Sequence, residues 1–496
     1  MLHFLSDDFP GEMAELKILF ATSEVAPLIK TGGLADVSGA LPAALRAIGV
    51  DVRVLVPGYN QIMAQLAQYK FEATFNDLPG FPAARLLSGV MQNKVPLFVL
   101  DCPSLYRREG GPYQDVAGHD WVDNAQRFGL LSKVAAVLGS NASPLGWRPD
   151  LVHCNDWQTG LTPAYLQFTP GAAPSIITIH NMAFQGIFAA KTVQALHLPD
   201  SCFSINGVEF HGNMSFLKAA LFYADHITTV SPNYAIEIQQ EALGFGMQGL
   251  LNTRRDDLTG ILNGIDTDEW DPSNDKHLAR QYSSANMVGK AANKEVLQRR
   301  FGLNLEPDVA LLGVVSRFTE QKGVDLLLEI APLLTELPVQ LVMLGSGDAK
   351  MQKSARDLSH LYPGKIGVHI GFSEELSHLI EAGADMFVMP SRFEPCGLNQ
   401  FYSQRYGTPP IVHATGGLAD SVVDCTATTL RDGTASGFMF SAMTADTLIT
   451  TIRRAVELYH DQKKWNVLCK NCMAKDFSWE TSAKTYREVY LKVLEK

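Results

Sequence analysis

The feature of this chain that most restricts its fold is a regular alternation of short apolar runs with longer helical patterns. The first series begins with LKILFAT (16–22) and continues with DVRVLVP, VPLFVLD, DLVHCND, SIITIHN and HITTVSP. After about residue 300 the pattern restarts with VALLGVVSR, VQLVMLGSG, IGVHIGF, MFVMPSR and PPIVHAT. Uninterrupted apolar strands separated by helices are typical of parallel sheets covered on both faces. Two such series predict an α/β protein with two doubly wound domains.

The length of 496 residues also exceeds what one hydrophobic core usually holds. A stretch rich in Gly, Asp and Asn, TGILNGIDTDEWDPSND (259–275), is suited to a linker. The chain ends in an amphipathic helical pattern with aromatic residues on one face. We predict four segments: an N-terminal extension (1–16), a first Rossmann-like domain (17–262), a second Rossmann-like domain (263–475) and a C-terminal helix (476–496).

Composition limits which binding partners and which cellular compartment are expected for this protein. The net charge of −11 predicts no nucleic-acid partner. The apolar runs are shorter than the roughly 18 residues that a membrane-spanning helix needs, and the first sixteen residues do not resemble a signal peptide. Seven scattered cysteines favour a reducing compartment, so we expect a cytoplasmic protein without a membrane partner. The pair in CKNC, Cys469 and Cys472, is interpreted as helical neighbours.

The hexapeptide TGGLAD occurs twice, at 31–36 and at 415–420, each time between an apolar run and a helical pattern. Glycines let the backbone approach a ligand, and a helix N-terminus offers unpaired N–H groups. In the first copy Lys30 precedes the loop, which suits a phosphate-bearing ligand; in the second, Ala414 takes that place. The first copy is therefore the predicted ligand loop, and the second is expected to act through turn geometry or a backbone contact. A plain strand-to-helix turn remains the alternative for the first.

Two further strand ends in the second series carry charged residues. SRFTEQKG places Arg317 and Lys322 after the apolar run, where two cations can clamp a diphosphate. PSRFEPCGLNQ places Glu394 after another run, where a carboxylate can bind sugar hydroxyls or stabilise a developing cation. Ordinary solvated surface residues are the alternative for each.

Polar residues also end two strands of the first series, in HCNDWQTG and TIHNMAFQG. Together they can form a rim that grips a hydroxyl-rich ligand, although each histidine alone is more often a hydrogen-bonded structural residue. No third ligand follows at convincing spacing, so we predict no metal site. No nucleophile elbow of the G-x-S-x-G type occurs. The residues of this rim are His153, Asp156, Trp157, His180 and Asn181.

These motifs, in order KTGGLADV, HCNDWQTG, TIHNMAFQG, NGID, SRFTEQKG, PSRFEPCGLNQ and TGGLAD, resemble those of bacterial glycogen synthases and plant starch synthases. The resemblance runs from about residue 17 to the end of the chain. It implies a retaining glucosyltransferase of family 5 with the GT-B fold, two Rossmann-like domains with a cleft between them. It further implies transfer of glucose from ADP-glucose to the non-reducing end of an α-1,4-glucan such as glycogen, without a cofactor. The final helix would cross back to the first domain.

The resemblance also implies roles for individual residues. Arg317 and Lys322 would neutralise the departing diphosphate, and Glu394 would hold the glucosyl hydroxyls. Asp156 and His180 would bind the transferred sugar from the other domain, with the His180 carbonyl near the reacting carbon. The implied donor-binding residues are Lys30, Gly33, Asn263, Phe372, Pro395, Cys396, Gly397, Leu398 and Asn399; those on the acceptor and sugar side are Asp36, Tyr113, Trp157 and Asn181.

One position departs from the wider pattern of the fold. GT-B relatives often place a second Glu eight residues after the first, to bind ribose, whereas this chain has Tyr402 there. Three other functions remain open at this point: a glycogen phosphorylase, a nucleotide-sugar epimerase and an inactive glucan-binding scaffold. The phosphorylase is normally far longer and needs a pyridoxal phosphate lysine. The four intact charged residues Lys30, Arg317, Lys322 and Glu394 argue against a scaffold.

Overall fold

The computed structural model describes residues 15–65 and 68–496, so most of the predicted N-terminal extension lies outside the described residues. The chain divides into two compact units. The first unit runs to Thr228 and includes Thr253–Asp257 and Ala483–Lys496, and the second contains Thr229–Asn252 and Leu258–Ser482. Both units are Rossmann-like, as the alternating pattern predicts. The domain boundaries predicted at 262 and 475 stay predictions.

The first unit is built from strands and helices that alternate along the chain. Its strands are β1 (Lys17–Ala21), β2 (Asp51–Pro57), β3 (Lys70–Phe75), β4 (Ala84–Val90), β5 (Pro96–Asp101), β6 (Leu151–Asn155), β7 (Ser175–Ile179), β8 (Ile187–Ala189), β9 (Glu209–Phe210), β10 (Asn213–Ser215) and β11 (His226–Thr229). Its helices are α1 (Gly33–Ala47), α2 (Asn60–Gln65), α3 (Pro103–Tyr106), α4 (Asn124–Leu138), α5 (Thr162–Gln167), α6 (Thr192–Ala195) and α7 (Phe216–Tyr223). Short 3₁₀ turns lie at Trp157–Thr159, Asp200–Cys202 and Arg255–Asp257.

Eight strands of this unit lie in one sheet in the order β11-β7-β6-β1-β2-β5-β4-β3, and β8, β10 and β9 form a separate small sheet. The neighbours from β7 to β5 pair in parallel, while β5, β4 and β3 pair antiparallel. Because β1, β6 and β7 are parallel neighbours, the loops that follow them emerge at the same edge. The sequence pattern did not predict β3 and β4, because KFEATF alternates exposed with buried residues at the edge of the sheet.

The second unit repeats the arrangement. Its strands are β12 (Leu258–Gly260), β13 (Ala310–Val315), β14 (Val339–Gly345), β15 (Ile366–Ile370), β16 (Met386–Met389), β17 (Pro410–His413) and β18 (Phe438–Phe440). Its helices are α8 (Pro232–Glu237), α9 (Glu241–Gly244), α10 (Gln248–Thr253), α11 (Val288–Arg300), α12 (Val324–Leu334), α13 (Ala349–Leu361), α14 (Glu374–Gly383), α15 (Asn399–Arg405), α16 (Gly416–Ser421), α17 (Ala427–Arg431), α18 (Ala445–His460) and α19 (Gln462–Met473). The final helix α20 (Trp479–Leu494) begins here, and the chain returns to the first unit at Ala483.

The sheet of the second unit is parallel throughout, in the order β15-β14-β13-β16-β17-β18. Side chains of β13 alternate between its two faces, as the strand period requires. Leu312 and Val314 pack in one core with α12 and α18, and Leu311 packs in another with α14. Burial on both faces explains why these strands read as uninterrupted apolar runs.

Across the residues that the structure describes, no helix combines the length and apolar character needed to cross a membrane.

A buried ion pair fixes α11 against the central strands of the second unit. The Lys294 ammonium lies 2.7 Å from Oδ2 of Asp385 and 2.6 Å from the carbonyl oxygen of Val309. The same Oδ2 accepts a hydrogen bond from the Leu311 N–H at the start of β13. Both side chains are almost fully buried, so neither charge can be solvated if its partner is lost.

We predict that Lys294→Met lowers the free energy of unfolding by about 3–5 kcal/mol, because it leaves the Asp385 carboxylate buried without its cation. Lys353→Met, which breaks an exposed pair with Asp357 on α13, is the matched control and should shift the urea midpoint little. Equal shifts in urea unfolding followed by circular dichroism would contradict a structural role for the buried pair.

Candidate functional site

The first glycine loop, which follows β1, is held by a buried carboxylate. The Glu24 carboxylate accepts hydrogen bonds from the backbone N–H groups of Thr31 and Gly32 and from the Tyr113 hydroxyl. That hydroxyl also lies 2.8 Å from Oγ of Ser23. Burial raises the pKa of Glu24, and the hydrogen bonds oppose this shift. Sequence analysis did not identify Glu24, whose only signal was a lone acid between the first strand and the glycine loop.

Beyond these contacts the glycine loop faces open space. A Cβ atom built on Gly32 or Gly33 would meet no atom within 4 Å. The Lys30 ammonium is exposed and lies 2.6 Å from Oδ1 of Asp36. Burial raises the pKa of Asp36, and the neighbouring Lys30 charge lowers it. The loop therefore has the room and the adjacent cation that an anionic ligand requires.

Asp156 begins the loop after β6 in a strained backbone conformation, with φ of 53°. Its buried carboxylate accepts the backbone N–H of His180, at 2.7 Å, and that of Asn181. Burial raises the pKa of Asp156 to about 7. Burial also lowers the pKa of His180 to about 3, and its imidazole is therefore neutral near pH 7. Asp156 thus fixes the loop after β7 and orients the His180 backbone.

The remaining rim residues of this unit divide between the loops and the interior. Trp157 is half-buried, with its ring centroid 5.0 Å from that of Phe128 and 6.5 Å from that of Tyr113. The Asn181 side chain caps its own loop by accepting the Ala183 N–H. His153 does not belong to the rim: it is fully buried in β6, and its Nδ1 lies 2.8 Å from the Tyr490 hydroxyl. For His153 the alternative of a hydrogen-bonded structural residue is the correct one.

In the second unit the structure joins two of the predicted residues directly. The Lys322 ammonium lies 2.6 and 2.8 Å from the two carboxylate oxygens of Glu394, and the Ser391 hydroxyl donates to the same carboxylate. Gly323, with φ of 66°, lies so close to Pro390 that a Cβ atom would be 1.8 Å from its carbonyl oxygen. That close approach places Lys322 beside Glu394.

Arg317 lies in the same loop as Lys322 and is exposed. Within the described part of the chain its guanidinium group forms no ion pair, so it is free to bind an anion. Asn399, at the start of α15, donates from Nδ2 to the carbonyl oxygen of Val315, where β13 ends. This hydrogen bond ties the start of α15 to the strand that precedes Arg317.

The second glycine loop supports the loop that carries Glu394. The Gly417 N–H donates to the carbonyl oxygens of Glu394 and Pro395, both at 3.1 Å. A Cβ atom on Gly417 would lie 2.2 Å from the carbonyl oxygen of Cys396. A carboxylate anchors this loop too: Oε1 of Glu237 accepts the N–H of Gly416 at 2.9 Å. Sequence analysis did not identify Glu237, which lies far away in sequence, on α8.

Two further predicted donor residues, Asn263 and Phe372, also lie in the second unit. Asn263 is buried, its N–H donates to the Cys396 thiol, and its Oδ1 has no hydrogen-bond partner among the described residues. Burial raises the pKa of Cys396 to about 12, so the thiol stays protonated. Phe372 follows β15 and is 82% exposed. Tyr402 stacks on Trp270, with ring centroids 3.6 Å apart.

Each unit therefore presents its own group of candidate site residues. The first unit offers an open glycine loop with a lysine, a buried aspartate and half-buried aromatic rings. The second offers exposed and half-buried cations beside a fixed carboxylate. The chemistry that suits such a set is recognition of an anionic leaving group and a polyhydroxylated ring.

Comparisons with known proteins agree with this interpretation. Residues 17–253 match the family described as "Starch synthase catalytic domain", and residues 296–467 match "Glycosyl transferases group 1". The chain is 57% identical to the glycogen synthase of Nitrosomonas eutropha, with 97% of each chain covered. It is 56% identical to that of Nitrosospira multiformis, with the same coverage. The catalytic domain of starch synthase IV from Arabidopsis thaliana, bound to ADP and acarbose, has a TM-score of 0.85 and 30% identity, covering 97% of this chain and 100% of that one.

We predict that a glycine-to-alanine substitution lowers the stability of the protein in the second glycine loop but not in the first. Gly417→Ala forces a Cβ atom against the Cys396 backbone and should destabilise the protein by about 3 kcal/mol. Gly33→Ala, the matched control at the open loop, should leave the thermal midpoint almost unchanged. Differential scanning calorimetry measures both, and a Gly417→Ala midpoint equal to that of the wild type would contradict the packing described.

The raised pKa of Asp156 predicts a pH-dependent contribution to stability. The folded state holds this proton up to a pH of about 7, whereas an unfolded aspartate loses it near pH 4. The contribution is therefore full below about pH 4 and is lost as the pH rises to about 7. Between pH 5 and pH 8 the free energy of unfolding of the wild type should fall by about 3 kcal/mol relative to that of Asp156→Asn. The asparagine keeps an acceptor oxygen but does not titrate.

Urea unfolding of both proteins across this pH range measures the difference. Asp357→Asn, at an exposed position of α13, controls for the general effect of removing a carboxylate. A stability difference between Asp156→Asn and the wild type that stays constant from pH 5 to pH 8 would show that Asp156 does not titrate in this window.

Proposed function

This chain belongs to the family of bacterial glycogen synthases and starch synthases, and we propose that it transfers glucose from ADP-glucose to the non-reducing end of an α-1,4-glucan with retention of configuration. The observation that carries the proposal is the pairing of Lys322 with Glu394 in the second unit. It places a cation suited to a departing diphosphate next to a carboxylate suited to sugar hydroxyls. An exposed Arg317 in the same loop adds a second cation.

The cations stabilise the leaving group. When the bond between the anomeric carbon and the diphosphate breaks, negative charge accumulates on the phosphate oxygens. Preorganised cations lower the free energy of that state more than that of the bound substrate. In the proposal Arg317 supplies a planar fork to the diphosphate, and Lys322 supplies a point charge while it remains in contact with Glu394.

Glu394 and the residues after it recognise the glucosyl group. A carboxylate accepts hydrogen bonds from sugar hydroxyls, and the ion pair with Lys322 holds it in one orientation. The segment from Pro395 to Asn399 contributes backbone groups, and the second glycine loop supports this segment from behind. Because the Glu394 carboxylate and this backbone segment are held in place, they can distinguish one configuration of sugar hydroxyls from another.

In the proposal, residues of the first unit also act on the donor. Lys30 and the open backbone at Gly33 contact the donor, and Asp36 orients Lys30. Asp156 fixes the His180 backbone, whose carbonyl oxygen stabilises positive charge at the anomeric carbon.

Glu394 is held by Lys322 and Asp156 by the His180 N–H, so in the proposal neither attacks the sugar. The diphosphate departs, the acceptor hydroxyl attacks on the same face, and its proton passes to the departing phosphate. A trapped covalent glucosyl-enzyme would contradict this mechanism.

The aromatic residues of the two units bind flat faces of the substrates. Phe372 is exposed and stacks on the adenine ring of the donor, with Asn263 at the nucleotide-sugar side. Tyr113, Trp157 and Asn181 contact the acceptor. Position 402 carries a tyrosine, stacked on Trp270, in place of the glutamate that often binds ribose in other GT-B proteins. The ribose is therefore not bound by an acid at that position. The similar starch synthase was solved with bound ADP, which supports adenine as the base of the donor nucleotide.

We further propose glycogen as the acceptor and the cytoplasm as the compartment. The bacterial relatives that match nearly the whole chain are glycogen synthases. All seven cysteines are free and buried, which suits a reducing compartment. In this proposal residues 17–262 form the acceptor side and 263–475 the nucleotide-sugar side.

A direct assay tests the activity. The purified protein is incubated with glycogen and ADP-glucose, and both ADP release and glucose incorporation are measured. We expect one ADP per glucose incorporated, dependence on glycogen and slower reaction with UDP-glucose. Release of glucose 1-phosphate from glycogen and phosphate, without use of ADP-glucose, would instead identify a phosphorylase.

Two variants test the proposed cations. Lys322→Ala and Arg317→Ala should each lower kcat by about 10²–10³-fold, the usual cost of removing one charge-stabilising group. Arg317 is exposed, so its loss cannot act through the core, and Lys353→Ala is the matched surface control. Wild-type kcat in both variants, with folding confirmed by circular dichroism, would remove these residues from the mechanism.

A further inference from the structure

The second unit also holds a cluster of groups that can bind a cation. His277, Glu374 and His378 each offer a ligand atom, and these atoms lie within 4.8 Å of one another. Nε2 of His277 lies 3.7 Å from Oε1 of Glu374. None of the three has a role in the proposed transfer reaction.

The backbone presents two of these groups on one helical face. Glu374 and His378 are four residues apart on α14, so their side chains are neighbours on adjacent turns. The start of the helix is fixed by Ser373, whose hydroxyl accepts the Leu376 N–H. His277 comes from the segment between β12 and α11 and completes the cluster from outside the helix.

His378 is held as metal-binding histidines are. Its side chain is almost completely buried, and its Nδ1 lies 2.8 Å from Oδ2 of Asp275, which accepts the ring N–H. In the neutral ring, donation from Nδ1 makes Nε2 the nitrogen with a free lone pair, and Nε2 has no hydrogen-bond partner among the described residues. A buried nitrogen without a partner costs free energy unless a ligand binds it. A carboxylate that orients a ligating imidazole is the usual outer partner in zinc sites.

The same aspartate also orients the second histidine. Oδ1 of Asp275 accepts the backbone N–H of His277 at 2.8 Å, while the Tyr406 hydroxyl donates to Oδ2 at 2.6 Å. Trp270 stacks on the His378 ring, with centroids 3.9 Å apart and planes inclined by 11°. The ring therefore cannot rotate, and its free nitrogen keeps one direction.

We propose that Nε2 of His277, Nε2 of His378 and a carboxylate oxygen of Glu374 bind one Zn²⁺ ion, with water as the fourth ligand. Two imidazoles and one carboxylate suit zinc, whereas magnesium and calcium prefer sets of oxygen ligands. The ion joins the segment around His277 to α14 and stabilises the second unit. The prediction of no metal site rested on the histidines of the first series, and this cluster was not recognised because His277 is far in sequence from the other two ligands.

Zinc binding to the full-length protein tests this site without using its activity. After treatment with a chelator and desalting, the protein is titrated with Zn²⁺ alone, and bound zinc and the thermal midpoint are measured. We expect one tightly bound Zn²⁺ per chain. The midpoint should rise by at least about 5 °C when free zinc is about 100 times its dissociation constant, and Mg²⁺ should have no such effect. Co²⁺ in place of zinc should give the visible absorption of four-coordinate cobalt.

The double variant His277→Ala, Glu374→Ala should lose the bound zinc, the rise in midpoint and the cobalt spectrum. Both side chains are at least partly exposed, so the variant should fold without metal. Glu375→Ala, at the neighbouring position of α14 and paired with Arg300, is the matched control and should bind zinc as the wild type does. Equal zinc binding by the double variant and the wild type, or no stoichiometric zinc in the wild type, would overturn the proposal.

Discussion

The contact between Lys322 and Glu394 is the interaction on which the candidate site of the second unit depends. A carboxylate that is 5% exposed must have a cation or N–H donors to remain charged, and Lys322 supplies the cation. The contact is possible because Gly323 brings its loop against Pro390. The pair therefore fixes the two loops that follow β13 and β16, and these loops carry the groups proposed to bind diphosphate and sugar.

A second constraint recurs in both units: a carboxylate holds a Thr-Gly-Gly loop. Glu24 accepts N–H groups of the first loop, and Glu237 accepts the Gly416 N–H of the second. The consequences differ because the surroundings differ. The first loop faces open space and keeps a lysine, whereas the second is packed against the backbone of Glu394 to Cys396. One sequence motif thus forms an open loop, which we propose binds the donor, in one unit and a structural support in the other.

The sequence predicted most of the fold and only part of the site. Buried parallel strands are recognisable because both faces are apolar, and the residues after each strand fall at one edge of the sheet. The edge strand β3 and its neighbour β4 were not predicted because their patterns are half-polar. Glu24 and Glu237 could not be found, since each acts on a loop whose position depends on the folded backbone. His153 was placed on the rim because the end of β6, at Asn155, is not visible in the sequence.

In the proposed reaction this chain adds α-linked glucose from ADP-glucose to the non-reducing end of a glucan. The most direct measurement uses ADP-glucose labelled with ¹³C at the anomeric carbon and a short maltooligosaccharide, followed by NMR of the product. We predict a single new ¹³C signal from an α-1,4-linked terminal glucose, equal in amount to the ADP released. A β-linked product, or ADP release with only free labelled glucose, would show that the protein does not catalyse this retaining transfer.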